Sequence, residues 1–134
     1  MSPVDVGRWA DTLMARYADH DVTGSALFPL LADGELEMVP LAGHPAEHLR
    51  WYRPPADCVA LGLVSAGWAA PIDSPVRPSA HPDAQRIVQA VVVARDGAVG
   101  ARLRYPDGSV VDPGAPGAGR VLDALRRSLR RMAA

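Results

Sequence analysis

Two stretches of the chain are apolar on both of their alternating faces: DCVALGLVSA at 57–66 and RIVQAVVVA at 86–94. A strand with one face in water alternates apolar and polar residues, so unbroken apolar runs of this length are typical of strands covered on both sides. Both stretches are therefore predicted to form the centre of a sheet, with other elements packed on each of its faces.

Asp-Gly pairs mark the turns between the predicted strands. Residues 25–41 are predicted to form a hairpin that turns at Asp33–Gly34, because Gly tolerates the positive φ that a tight turn requires. Asp96–Gly97 is predicted to turn the chain after the second apolar run. Pro29 and Pro40 lack a backbone N–H, so both strands of the hairpin are expected to lie at an edge or to be interrupted.

Amphipathic helices are predicted at both ends of the chain. Apolar residues recur at helical spacing over 2–18, where Ser2 is the expected N-cap and Asp5 places negative charge in the first turn. A closing helix is predicted over 120–132, and a short helix over 45–52. The whole pattern predicts one α+β domain over residues 1–134, with a mostly antiparallel sheet of about five strands flanked by the N-terminal and C-terminal helices.

Composition limits the classes of protein that the chain can belong to. With 134 residues, 49% of them hydrophobic, it is long enough to bury a hydrophobic core that does not need disulfides or metal ions for stability. Cys58 is the one cysteine and cannot form an internal disulfide, and no apolar run has the length of a membrane span. A cytoplasmic protein without a membrane partner is therefore predicted.

All fourteen basic residues are arginine, which is typical of a high-GC bacterial genome. The net charge is −1, so arginine richness alone does not favour nucleic-acid binding. Residues 1–57 hold nine acids and four arginines, a net charge of −5, and residues 58–134 hold six acids and ten arginines, a net charge of +4. The two halves are predicted to attract each other within one fold. Separately, a protein partner or a homo-oligomer is predicted, and nucleic acid is not.

The stretch HPAEH at 44–48 resembles the H-x-x-E-H motif of inverted zincin proteases. That resemblance implies zinc held by His44 and His48, with Glu47 as the general base. Pro45, however, is best placed in the first turn of a helix, which makes His44 its cap, and no glutamate follows Glu47 to supply a third ligand. We therefore predict no metal and no cofactor, and keep a zinc-dependent hydrolase as the alternative.

The segment GWAAPIDSPVRPSAHPD at 67–83 resembles the JAMM-type metalloprotease signature of the MPN fold, through its Gly-Trp and Pro-Ser pairs. The metal ligands of that signature are missing, since Ala70 and Ile72 occupy the histidine positions and Pro82 the aspartate position. The resemblance therefore implies a scaffold without a working metal centre.

Two further resemblances concern assembly. The stretch AVVVARDGAVGARL at 90–103 is similar to the strand-turn-strand of Roadblock-type dimerising domains. From about residue 55 to residue 130 the chain resembles small single-domain proteins of high-GC actinomycetes, which implies a recurring single domain and no particular chemistry.

The segment that joins the two central strands is the predicted binding element. Its four prolines pre-order an extended loop, and loops placed in this way often carry function. The candidate binding residues are Trp51, Trp68, Asp73, Arg77, Ser79 and His81. The leading hypothesis is a non-catalytic interaction or assembly module that binds through the 68–83 segment and a sheet edge. A small-ligand pocket lined by Trp51 and Trp68 is a further alternative.

Overall fold

The computed structural model describes residues 4–20, 25–41, 49–69, 85–112 and 120–132. Within these ranges the chain forms two helices around one sheet, and adjacent strands are antiparallel throughout. The elements are α1 (Val6–His20), β1 (Ser25–Leu31), β2 (Val39–Leu41), β3 (Cys58–Ala69), β4 (Gln85–Ala94), β5 (Val99–Arg104), β6 (Val110–Val111) and α2 (Arg120–Met132). The α+β prediction is confirmed, with six strands in the order β2-β1-β3-β4-β5-β6 where about five were expected.

The two apolar stretches are the third and fourth strands of the sheet, as predicted. Ala60 and Val64 of β3 are buried in a core on the α1 side, and Leu61 and Leu63 are buried in a second core on the α2 side. Side chains on both faces of this part of β3 are therefore covered. This is the reason for the missing polar alternation in the sequence.

Helix α1 lies close to the sheet because glycine stands at its contact points. A Cβ on Gly100 of β5 would lie 2.6 Å from the carbonyl carbon and 2.7 Å from the carbonyl oxygen of Val6. A Cβ on Gly62 of β3 would collide with Cδ1 of Leu13. Helix α1 thus crosses the sheet: the first turn of the helix lies over β5, and Leu13 lies over β3.

Three hairpin turns share one geometry. In each, a glycine with φ between 88° and 94° follows an aspartate, and the aspartate carboxylate accepts a hydrogen bond from the backbone N–H two residues ahead at 2.8–2.9 Å. The positive φ is open to glycine at little steric cost, and the aspartate satisfies a backbone donor that the turn would leave free. The pairs are Asp33–Gly34, Asp96–Gly97 and Asp107–Gly108.

The start of α1 differs from the prediction. Its first helical residue is Val6, and the carboxylate of Asp5 accepts a hydrogen bond from the N–H of Arg8 at 3.1 Å, so Asp5 is the N-cap rather than a first-turn residue. Ser2, the predicted cap, lies outside the described residues.

Pro29 lies in β1, which is an internal strand and not an edge strand. It stands opposite Leu61 of β3, yet its carbonyl accepts a hydrogen bond from the N–H of Glu37 on the other side of the strand, at 3.2 Å. The nitrogen of a residue points to the same side as its carbonyl in an antiparallel ladder, so the absent donor faces away from β3. The ladder between β1 and β2 covers Ser25–Leu27 only, and Pro29 falls in the expected interruption.

Candidate functional site

Of the residues predicted to bind, the structure describes two. Trp51 lies in the turn that precedes β3, and Trp68 lies in β3 with its backbone opposite Arg86 of β4. The remaining candidates lie outside the described residues, and they are His44, His48, Asp73, Arg77, Ser79 and His81. Their roles stay predictions. The geometry of a candidate site can be built around Trp51.

Within the described ranges, no three residues of the metal-ligating types His, Cys, Asp and Glu come together. His44 and His48 are outside those ranges, so the zinc alternative keeps its status as a hypothesis. Cys58 is fully buried and donates its S–H to the carbonyl of Ala60 at 3.0 Å. Burial raises the pKa of its thiol, so Cys58 is part of the core and not a thiolate nucleophile.

Trp51 is the most exposed of the large hydrophobic residues in the described ranges, with 79% of its surface in water. It borders a groove of about 370 Å³ that runs beside strand β2. The groove is lined by Leu27, Val39, Pro40, Leu41, Leu49, Trp51 and Tyr52. We call this surface the Trp51 groove; all of its lining residues are apolar or aromatic.

The turn that carries Trp51 is held in place by contacts with the core on the α2 side. Leu49 is fully buried in the core on the α2 side. The hydroxyl of Ser128, which is itself fully buried on α2, donates a hydrogen bond to the carbonyl of Leu49 at 2.9 Å. A buried hydroxyl needs a partner, and this one joins the C-terminal helix to the wall of the groove. The position of Trp51 therefore depends on a contact between residues 79 positions apart.

The charged groups at the groove are at its rim. Burial raises the pKa of the Tyr52 phenol to about 12, and the nearby Cys58 thiol and Glu37 carboxylate add to the shift. Tyr52 is therefore neutral at any physiological pH. The guanidinium of Arg50 lies 5.5 Å from the centre of the Trp51 ring, within the range of a cation–π contact. The groove thus has a neutral interior and at least one charge of each sign beside it.

The edge of β2 is poorly suited to accept another strand. Its register pairs Leu27 with Val39 and Ala26 with Pro40. Every second residue of an antiparallel strand directs its backbone N–H and C=O to the same neighbouring strand. Pro29 and Leu31 bond on the β2 side, so Leu27 also faces β2. The nitrogen of Pro40, which is one residue along from the partner of Leu27, therefore points to the open edge. Proline has no N–H to offer there. A partner is therefore better bound by side chains in the groove than by extension of the sheet.

Sequence reasoning identified Trp51 and missed the β2 side of the groove. Val39 and Leu41 alternate with Pro40, which predicts a strand, but the pattern does not indicate that a strand of three residues leaves a groove open.

Neither described helix is long and apolar enough to cross a membrane.

Comparison with protein-family models, with curated proteins and with solved structures gave no match to this chain.

Proposed function

We propose that the protein is a non-catalytic assembly module that binds an extended polypeptide segment in the Trp51 groove. The observation that carries this proposal is the exposure of Trp51, 79%, beside a groove whose lining, among the residues that the structure describes, holds no charged side chain. Tryptophan is the side chain most enriched among residues that dominate binding energy, and it does so where a surrounding apolar surface excludes water. The groove supplies that surface.

The chemistry of the occupant follows from Pro40. At that position the open edge of β2 has no N–H that could donate a hydrogen bond to a backbone carbonyl of the partner segment. The partner segment should therefore use few backbone hydrogen bonds. Proline-containing segments in the polyproline II conformation satisfy this condition, because they keep their backbone solvated and dock in aromatic-lined grooves.

A second copy of the chain is the occupant that we favour. Residues 70–84, APIDSPVRPSAHPDA, contain four prolines and only three charged residues. The groove would thus receive the 70–84 segment of the partner.

Sedimentation equilibrium over a wide concentration range tests the proposal on the full chain. We expect the wild type to self-associate with a dissociation constant in the micromolar range, and Trp51→Ala to weaken the association by about 30-fold or more, the factor that corresponds to about 2 kcal/mol for a central tryptophan. The matched control is Val110→Ser, which removes an exposed apolar side chain on β6 at the opposite edge of the sheet. It should leave the association unchanged.

A labelled peptide of residues 70–84 separates the groove from other contacts. Fluorescence anisotropy should show the peptide binding to wild type and to Val110→Ser, but not to Trp51→Ala. Circular dichroism of Trp51→Ala should match the wild type, because an exposed side chain contributes little to the core. A wild type that stays monomeric up to millimolar concentration and does not bind the peptide would show that the proposal is wrong.

A further inference from the structure

A second concavity lies at the other side of α2, where the turn between β4 and β5 meets the C-terminal half of the helix. Its volume is about 360 Å³. The lining residues are Ala94, Arg95, Gly97, Arg126, Leu129 and Arg130. We call it the arginine groove. Three guanidinium groups come from two parts of the fold, the β4–β5 turn and α2, and no carboxylate is among the lining residues that the structure describes.

Two of these arginines have no counter-ion among the residues that the structure describes. Arg126 and Arg130 are exposed, and in the described parts of the chain neither takes part in a hydrogen bond or an ion pair. Arg102 on β5 shows the contrast, because it is paired with Asp11 at 2.9 Å and with Asp112 at 3.4 Å. The fold thus neutralises a partly buried arginine on the α1 side and leaves the pair on α2 unneutralised.

The spacing of the free pair matters for what it can hold. Residues four apart on a helix lie on the same face with their Cβ atoms about 6 Å apart, so the guanidinium groups of Arg126 and Arg130 can converge on one anion. Like charges at this spacing also repel each other slightly, and a bound anion removes that cost. Leu129 and Ala94 add an apolar surface beside the charged groups.

We infer that the arginine groove binds a phosphate monoester of small-molecule size, with its phosphoryl group between Arg126 and Arg130 and its organic part against Leu129. A phosphate dianion offers enough oxygens for two bidentate guanidinium contacts, which one carboxylate does not. The volume suits a small ligand rather than a long polymer. Arg95 forms the opposite wall; it has a partner within the fold, and Asp96 follows it directly in the chain, so the proposal does not rest on its charge.

Isothermal titration calorimetry at low salt tests the inference, with phenyl phosphate as the probe. We expect one site per chain and a dissociation constant of about 1 mM or below, as the usual binding energy per atom gives for a ligand of this size. Inorganic phosphate, which lacks the apolar part, and benzoate, which carries one charge, should each bind at least about 5-fold more weakly.

The variant Arg126→Gln/Arg130→Gln should weaken phenyl phosphate binding by at least about 10-fold, since each lost charge-assisted contact is worth about a factor of ten. The matched control is Arg127→Gln, which removes the same charge from the same helix at an exposed position that does not line the groove. It should change binding less than 2-fold. Glutamine keeps the helix propensity of arginine, so both variants should fold.

Three results would overturn the inference. The first is no saturable binding of phenyl phosphate. The second is an equal loss in Arg127→Gln, which would mean that only the overall charge of the helix matters. The third is benzoate binding as tightly as phenyl phosphate, which would exclude a site built for a dianion.

Discussion

The packing of α1 on the sheet can be tested by two alanine substitutions that meet different obstacles. A Cβ on Gly100 would lie 2.6, 2.7 and 2.9 Å from the carbonyl carbon and oxygen of Val6 and the nitrogen of Gly7. These are backbone atoms of the first turn of α1, and they cannot rotate away. A Cβ on Gly62 would meet Cδ1 of Leu13, which is the far end of a flexible side chain. The first substitution must move a helix, whereas the second must move only one side chain.

The magnitudes follow from these distances. Ordinary contacts of a Cβ begin at 3.4 Å, so Gly100→Ala requires the first turn of α1 to move outward by about 0.8 Å. Overpacking of this kind costs about 1–3 kcal/mol, and the reduced entropy of the unfolded chain returns about 0.4–1 kcal/mol for any Gly→Ala change. We expect Gly100→Ala to lower the free energy of unfolding by about 2 kcal/mol and Gly62→Ala by about 1 kcal/mol or less.

Urea denaturation followed by far-UV circular dichroism measures both changes, and Leu13→Ala tests the cause. Combined with Gly62→Ala, Leu13→Ala should give a double variant more stable than the sum of the two changes predicts, by about 1 kcal/mol, because the shortened side chain makes room for the new methyl group. Combined with Gly100→Ala, it should be additive within about 0.5 kcal/mol. A Gly100→Ala protein as stable as the wild type would show that the first turn of α1 does not lie against β5.

Two further predictions concern the floor and the rim of the Trp51 groove. The phenolate absorbance of the wild type minus that of Tyr52→Phe should titrate with a midpoint near 12 rather than 10, because burial disfavours the charged form. The folded state then keeps the proton of Tyr52 at a pH above 10, where the unfolded chain loses it. The stability that this proton contributes is complete below pH 10 and is lost as the pH rises through 12. A titration midpoint near 10 in the folded protein would contradict this prediction. Ser128→Ala should lower the free energy of unfolding by about 1–2 kcal/mol in urea, because the bond to the carbonyl of Leu49 is lost, and a change below about 0.3 kcal/mol would mean that this bond does not fix the turn.

The elements that the sequence predicts well are those whose pattern is local. The apolar runs at 57–66 and 86–94 correspond to β3 and β4. A strand that is buried on both faces has apolar residues at consecutive positions, so it can be recognised from a short stretch of sequence. The Asp-Gly turns are equally local, since the glycine supplies the positive φ and the aspartate binds a neighbouring N–H. Such features need no knowledge of the rest of the fold.

The features that the sequence did not predict depend on distant partners. Pro29 is tolerated in an internal strand because its nitrogen faces away from β3, toward the residues that precede the short strand β2, and the length of β2 is not a property of Pro29. The arginine groove joins Arg95 to Arg126 and Arg130, which come from separate elements. No pattern within the C-terminal helix indicates which of its arginines stand opposite the β4–β5 turn.

The position of both candidate surfaces follows from a mismatch between the width of the sheet and the width of one helix. Six strands at about 4.8 Å spacing extend over about 24 Å, whereas a helix with its side chains covers about 10–12 Å. Helix α2 packs on β3 and β4, near the middle of this face of the sheet, and within the described part of the chain no other helix covers the flank on either side of it. The segment that contains Leu49 covers part of one flank and leaves the Trp51 groove, while the other flank ends at the β4–β5 turn as the arginine groove. A second helix on this face would cover both surfaces, so the shape of this face, and not any single motif, determines where the two candidate surfaces lie.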